Sequence, residues 1–138
     1  MLINRRVSGV VSIGLAAALL GVAQASPASA VPIGKVRKGK ATFYTSSGIG
    51  ACGKWVDAST QSIVAVPRKW WTTANSTKDP LCRLNVVVTY KGHSVIVPVM
   101  DKCGGCGPNQ LDLGRLAFAK LAAPSKGVIK GVKWKFVR

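Results

Sequence analysis

The sequence predicts a mainly β domain, in which about six short strands close into a small barrel with long connections and a single helix. Three observations carry this reading. Apolar and polar residues alternate over short runs bounded by Gly, Pro and Ser, the period of half-buried strands. Only one stretch, "LDLGRLAFAKLAA", follows a helical period. Four cysteines in 138 residues supply the staples that a small domain uses.

The chain opens on a leader that does not belong to that domain. Arg5 and Arg6 precede the apolar run "VSGVVSIGLAAALLGVA", and "ASPASA" places small residues where a signal peptidase cuts. Residues 1–30 therefore read as a secretory signal peptide, with cleavage expected after Ala30. The run is short and interrupted by Gly and Ser, and no second hydrophobic segment follows, so no membrane attachment is expected. The expected location is extracellular.

Residues 31–38, "VPIGKVRK", form a basic stretch expected to be free at its start, and residues 39–138 form the domain. "GKATFY" is a first strand ending at Tyr44, and "TSSGIGACG" is a Gly/Ser loop. "SIVAVP" is a short apolar strand closed by Pro67, and "RKWWTTANSTKDPLC" is a long polar excursion. "LNVVVTY" and "HSVIVPVMD" are separated only by Lys91-Gly92, the spacing of a hairpin. Pro98 inside the second run calls for a bulge or an edge position. Leu113, Leu116, Ala117 and Leu121 recur at helical spacing, with Asp112 as N-cap and Pro124 as the stop. The chain ends on "GVIKGVKWKFVR", where Val132, Trp134 and Phe136 alternate with Lys133, Lys135 and Val137.

Charge narrows the partners. The formal net charge is +16, falling to +14 when Arg5 and Arg6 leave with the signal peptide. There is no Glu, and the only acids are Asp57, Asp79, Asp101 and Asp112. Such a surface attracts anions. Export removes the protein from nucleic acid, so an anionic cell-wall polymer or an acidic protein partner fits better.

The residues themselves offer little catalytic equipment. Cys103 and Cys106 form a CxxC that reads as a zinc knuckle, a redox dithiol or a structural clip. Zinc wants a second ligand pair, which Cys52, Cys82 and His93 do not make, and no metal site is expected. A redox dithiol wants a helix starting at its first cysteine, where this chain has Gly and Pro. A clip is the favoured reading, with Gly104 and Gly105 easing the strain of so small a ring. Outside the cell, four cysteines read as two disulfides with three connectivities open. Asp101 is either a general acid or a carboxylate accepting backbone N–H bonds. Glycoside hydrolysis wants a second carboxylate, and Asp112 is assigned to the helix cap. No cofactor is implied.

The aromatics suggest binding. Trp70 and Trp71 lie in a polar loop, where they either stack on a partner or fold back over the barrel end. Trp134 alternates with lysines and belongs in the core. Tyr44 and Trp55 flank the Gly/Ser loop and fit either class.

Taken in order, "GKATFY", "GIGACG", "IVAVP", "DPLC", "VVVTYKGHSVIVPVMDKCGGC", "LDLGRLAFAKLA" and "GVIKGVKWKFV" resemble the double-psi β-barrel of the expansin, barwin and rare-lipoprotein-A superfamily. The likeness spans residues 39–138 and implies a six-stranded barrel with one short helix and two disulfides. It pairs Cys52 with Cys82 and leaves Cys103 with Cys106. Lytic members set an acid at the position of Asp101 beside a His after the second strand. "VAVPRKWW" has no His there, so lytic glycosidase activity is not expected. Expansin-like members use the same Asp without hydrolysis, usually beside a second domain, and none is expected here.

Within the superfamily, "PIGKVRKGKATFY" and "GVIKGVKWKFVR" are most similar to stand-alone secreted inhibitors of papain-like cysteine proteases. The resemblance implies a monomeric, non-enzymatic inhibitor that blocks the protease cleft with rigid loops. The contact residues expected for it or for a wall polysaccharide are Tyr44, Thr45, Ser46, Ser47, Gly48, Trp55, Trp70, Trp71 and Asp101. The alternative reading is expansin-like binding of cell-wall polysaccharide or peptidoglycan. Lys35, Lys38 and Lys40 are expected as amine donors for a cross-linking transglutaminase.

Overall fold

The computed structural model describes residues 31–138, and the signal peptide expected over residues 1–30 lies outside the described residues. The strands are β1 (Arg37–Tyr44), β2 (Ser47–Ile49), β3 (Trp55–Asp57), β4 (Val64–Pro67), β5 (Asn85–Tyr90), β6 (His93–Cys103), β7 (Leu111–Gly114) and β8 (Val128–Val137). Among the described residues the one α-helix, α1, is Arg115–Leu121. Six strands close into a barrel in the order β1-β7-β4-β6-β5-β8, while β2 and β3 form a separate two-stranded ribbon.

The long connections have a topological cause. β1 pairs with β7, and β4 with β6, in parallel, whereas β4 and β7 are antiparallel. A parallel pair needs a crossover of a dozen residues or more, so the polar excursions between strands are required. Inside the ring, alternate residues of each strand fill the core. Trp134, Phe136, Leu111, Leu113, Ile129, Val64, Val66, Val86, Val88 and Val97 are fully buried, joined by Phe118 of α1 and Leu81. Among the described residues no helix is long and apolar enough to cross a membrane.

The structure corrects the reading of "LDLGRLAFAKLAA". Its first four residues are β7, with Ala41 opposite Leu111 and Phe43 opposite Leu113. The helix starts only at Arg115, and its N-cap is Gly114, which makes no side-chain cap bond. Asp112 is therefore a strand residue and caps nothing. Leu111 and Leu113 are both buried, so the period there is two, whereas Leu116 is exposed. "LDL" satisfies either period, and the open edge of β1 decides between them. "TSSGIGACG" is likewise more than a loop, since Ser47–Ile49 pairs with Trp55–Asp57.

Other expectations meet the structure directly. Pro98 lies where the β5–β6 ladder ends opposite Asn85, just before β6 shifts register against β4 between Val99 and Asp101. The bridges are Cys52–Cys82 and Cys103–Cys106, with Cα separations of 5.7 and 5.4 Å. The CxxC is thus a clip. Neither Gly104 nor Gly105 has a positive φ, so left-handed backbone is not their use, although a Cβ at Gly104 would meet Arg68 Nη2 at 3.3 Å. The basic stretch before β1 is tied to β8. Ile33 bridges Phe136, and the Gly34 N–H donates to the Phe136 carbonyl at 2.8 Å.

Candidate functional site

The ribbon is built on β6. Its inner face sets Val56 against Ala58 and Ile63, a satellite core that also touches Tyr44 and Met100. Gly50 lies so close to β6 that a Cβ there would come within 2.6 Å of the Met100 carbonyl. The next residue, Ala51, donates its N–H to Asp101 Oδ1 at 3.0 Å. Cys52 then bonds to Cys82, and Ser76 Oγ donates to the Ala51 carbonyl at 2.6 Å. The ribbon's turn is therefore held from both sides, by β6 and by the excursion after β4.

What the ribbon presents outward is apolar. Ile49 and Trp55 are direct cross-strand partners, 69% and 62% exposed. Thr45, Ser46 and Ser47 are exposed on the approach to them, and Gly48 is half-buried opposite Val56. Paired residues of an antiparallel ladder share one face, so the two side chains stand together. Two large apolar groups held in water on a braced support resemble the anchors of protein interfaces. Ile49 is a site residue that sequence reasoning missed. Its signal was its place as the sole branched aliphatic side chain in a Gly/Ser segment.

Beneath the ribbon lies a polar cluster. Asp101 accepts from Tyr44 Oη at 3.2 Å, from Ala51 N at 3.0 Å and from Lys102 N at 2.9 Å. Burial, then the charge of Asp101 and the hydrogen bond to it, hold the Tyr44 phenol far above the usual range, so it stays a donor. Asp112 joins the same cluster. Ala65 of β4 has Asp101 as its partner on one side and Asp112 on the other. Thr42 Oγ1 donates to Asp112 Oδ1 at 3.0 Å and in turn accepts from Gln110 Nε2 at 3.3 Å. Burial pushes the Asp112 carboxyl up, the Thr42 bond pulls against it, and the negative charge of Asp101 adds to the rise. Two half-buried carboxyls, a tyrosine and a threonine can bind hydroxyl-rich ligands. Thr42 and Asp112 were not legible as site residues, because Asp112 was assigned to a cap.

Trp70 and Trp71 fold back onto the barrel. Trp70 packs edge-on against Phe136 and Trp134, with centroids at 5.7 and 6.4 Å, and donates Nε1–H to the Pro108 carbonyl at 3.2 Å. Arg37 Cζ and Lys69 Nζ lie over its ring, 4.1 and 4.5 Å from the centroid. Trp71 donates Nε1–H to the Val66 carbonyl at 3.2 Å. The structure thus brings Tyr44, Asp101 and the ribbon together and leaves the tryptophan pair apart. Among the described residues no cluster of His, Cys, Asp or Glu is arranged to hold a metal.

No family model matches the chain. The papain inhibitor of Streptomyces mobaraensis is 52% identical over 127 residues, spanning 90% of this chain and 89% of that protein. A solved Streptomyces papain inhibitor superposes with a TM-score of 0.78 at 52% identity, covering 79% of this chain and all of that one. A mutant expansin of Clavibacter michiganensis, solved in complex with cellohexaose, is 28% identical with a TM-score of 0.62, covering 75% of this chain and 51% of its own. The likeness to the first two extends along nearly their whole length, and the chain belongs to the family of the Streptomyces papain inhibitor.

Proposed function

We propose that this protein inhibits papain-like cysteine proteases outside the cell, by binding as a monomer and not by catalysis. The observation that carries the reading is 52% identity to a papain inhibitor across 89% of that inhibitor's length. The physical design agrees with it. A ribbon braced by Cys52–Cys82 enters a cleft without being ordered on binding, so little affinity is lost to entropy. The Ile49–Trp55 pair is the contact, with Thr45, Ser46, Ser47 and Gly48 beside it. Arg68 and Lys69, exposed before the half-buried tryptophans, are a second point of approach.

The test titrates the mature protein against papain with a small peptide substrate. Stoichiometric loss of cleavage is expected, and undiminished cleavage at excess protein would sink the proposal.

A second reading rests on the Tyr44–Asp101–Asp112 cluster, which offers hydroxyl-binding groups on the barrel wall. A related expansin has been solved in complex with cellohexaose, and the cluster here would bind cell-wall polysaccharide without hydrolysis. Pull-down on cellulose and peptidoglycan that resists salt, and fails in Asp101→Asn, is its expected signature. Lys35, Lys38 and Lys40 are exposed, and we assign them as amine donors for a transglutaminase. Replacing all three with Arg should abolish cross-linking, and undiminished cross-linking would refute the assignment.

A further inference from the structure

The β1–β8 wall of the barrel has a chemistry of its own. β1 and β8 are neighbours in the closed ring, and their paired lysines lie toward the start of β1, away from Thr42 and Tyr44 at its far end. Lys38 of β1 is the direct cross-strand partner of Lys133 of β8. Like charges placed opposite each other destabilise a ladder, so this pairing works against the fold. Lys40, Lys130 and Lys135 surround it, all exposed except the half-buried Lys135.

A bulge enlarges the set. Between Gly39↔Val132 and Ala41↔Ile129, β8 spends three residues where β1 spends two. Gly131, at φ 77°, supplies the left-handed residue this requires. Strict alternation would turn Lys130 inward with Val132. The bulge instead buries Ile129 and leaves Lys130 outside with Lys133.

No acid answers these lysines. Asp79 is buried, Asp57 is bonded to Ser59, and Asp101 is bonded to Tyr44 and backbone. Asp112, the acid nearest in the ladder, is opposite Thr42 and bonded to its hydroxyl. The outward neighbours on β5 are Thr89 and Val87, opposite Lys133 and Lys135. The face carries no exposed aromatic to stack on a base or a sugar ring, and lysine ammoniums are point charges without a planar fork. It therefore reads charge spacing alone. Strand separation and two-residue rise place the backbones of neighbouring lysines roughly 5–7 Å apart, a spacing that their flexible stems can widen or narrow at the ammoniums.

We infer that the Lys38–Lys133 face is a docking surface for a linear polysaccharide carrying one carboxylate per sugar, separate from the protease-facing ribbon. Such a polymer would hold the inhibitor at an acidic wall while the ribbon stays free.

The experiment measures binding of polygalacturonate by the mature protein at low and physiological salt. It compares the triple variant Lys38→Gln, Lys133→Gln, Lys135→Gln with the charge-matched triple Lys78→Gln, Lys120→Gln, Lys126→Gln. The face variant should bind at least tenfold more weakly, with a shallower salt dependence, while the control stays within about twofold of the parent. Both should inhibit papain like the parent, and the face variant should melt no lower, because its opposed pair is relieved. Equal weakening of the two variants would overturn the proposal in favour of net charge. Absence of binding at low salt would overturn it as well. Duplex DNA bound as tightly as polygalacturonate would overturn the choice of polymer.

Discussion

Trp55 and Trp70 come from equally polar stretches of sequence and end in opposite situations. Trp70 lies edge-on to Phe136 and Trp134 with Arg37 and Lys69 over its ring, while Trp55 stands 62% exposed beside Ile49. Burial is the ordinary fate of tryptophan, so Trp70 needs no special account. Trp55 does. It is kept off the barrel because its strand spends its inner face on Val56 and its turn on Cys52 and Asp101. The same excursion, residues 68–83, serves both outcomes. Its start lays Trp70 and Trp71 on the barrel, and its end supplies Cys82 to brace the ribbon.

The largest effect should follow from unbracing the ribbon. Replacing Cys52 and Cys82 with Ser opens a loop of 30 residues and should cost about 3–4 kcal/mol in urea unfolding. Papain inhibition should fall beyond what the unfolded fraction explains. The short Cys103–Cys106 ring should cost only about 1.5 kcal/mol and leave inhibition of the folded protein intact.

Next is Asp79, which holds the tryptophan side in place. It is buried and accepts from the N–H groups of Leu81, Thr72 and Thr73, the last two directly following Trp71. Asp79→Ala leaves these donors without their acceptor and should cost about 3 kcal/mol. Burial opposes its ionisation, but the backbone hydrogen bonds outweigh it and hold the carboxyl below its ordinary value. A depressed folded pKa stabilises above the unfolded value, and that stability is lost as pH falls through the folded one. Parent and variant should therefore converge in acid melts below the ordinary carboxylate range.

The two tryptophans themselves give the direct test. Trp70→Ala should cost about 2–3 kcal/mol of stability with papain inhibition by the folded protein unchanged. Trp55→Ser should change stability by less than about 0.5 kcal/mol and weaken inhibition roughly 30-fold, as loss of an interface anchor of about 2 kcal/mol does. If Trp55→Ser inhibits like the parent protein, the ribbon is not the contact.

The smallest effect belongs to Asp112. Its folded pKa is raised, so its ionised form is a burden that grows as pH rises from the unfolded pKa through the folded one. Asp112→Asn should raise the melting temperature at neutral pH by a small margin, and the gain should vanish in acid.

How much of this was legible in the sequence depended on period. β5, β6 and β8 alternate over six or more residues, and the Lys91-Gly92 turn joins β5 to β6 as a hairpin, so they could be read directly. β2, β3 and β7 have three or four residues each, too few to show any period. The misreading of β7 carried a functional cost, since assigning Asp112 to a cap hid the second carboxyl of the cluster. Likewise nothing local separated Trp55 from Trp70, because exposure depends on what the other face of the segment packs against.

The sequence by itself determined the barrel class, the core face of its long strands, the strongly basic surface and, through resemblance, the disulfide pairing. Each is written in composition, in alternation over enough residues, or in motifs standing in a recognisable order. Only the tertiary structure decided that "LDLG" completes the ring, that Asp101 and Asp112 flank Ala65, that Ile49 joins Trp55, and that Lys38 opposes Lys133. Those facts are pairings between segments up to about a hundred residues apart. Which residues meet there is set by strand register and by closure of the barrel, and neither has a local signature.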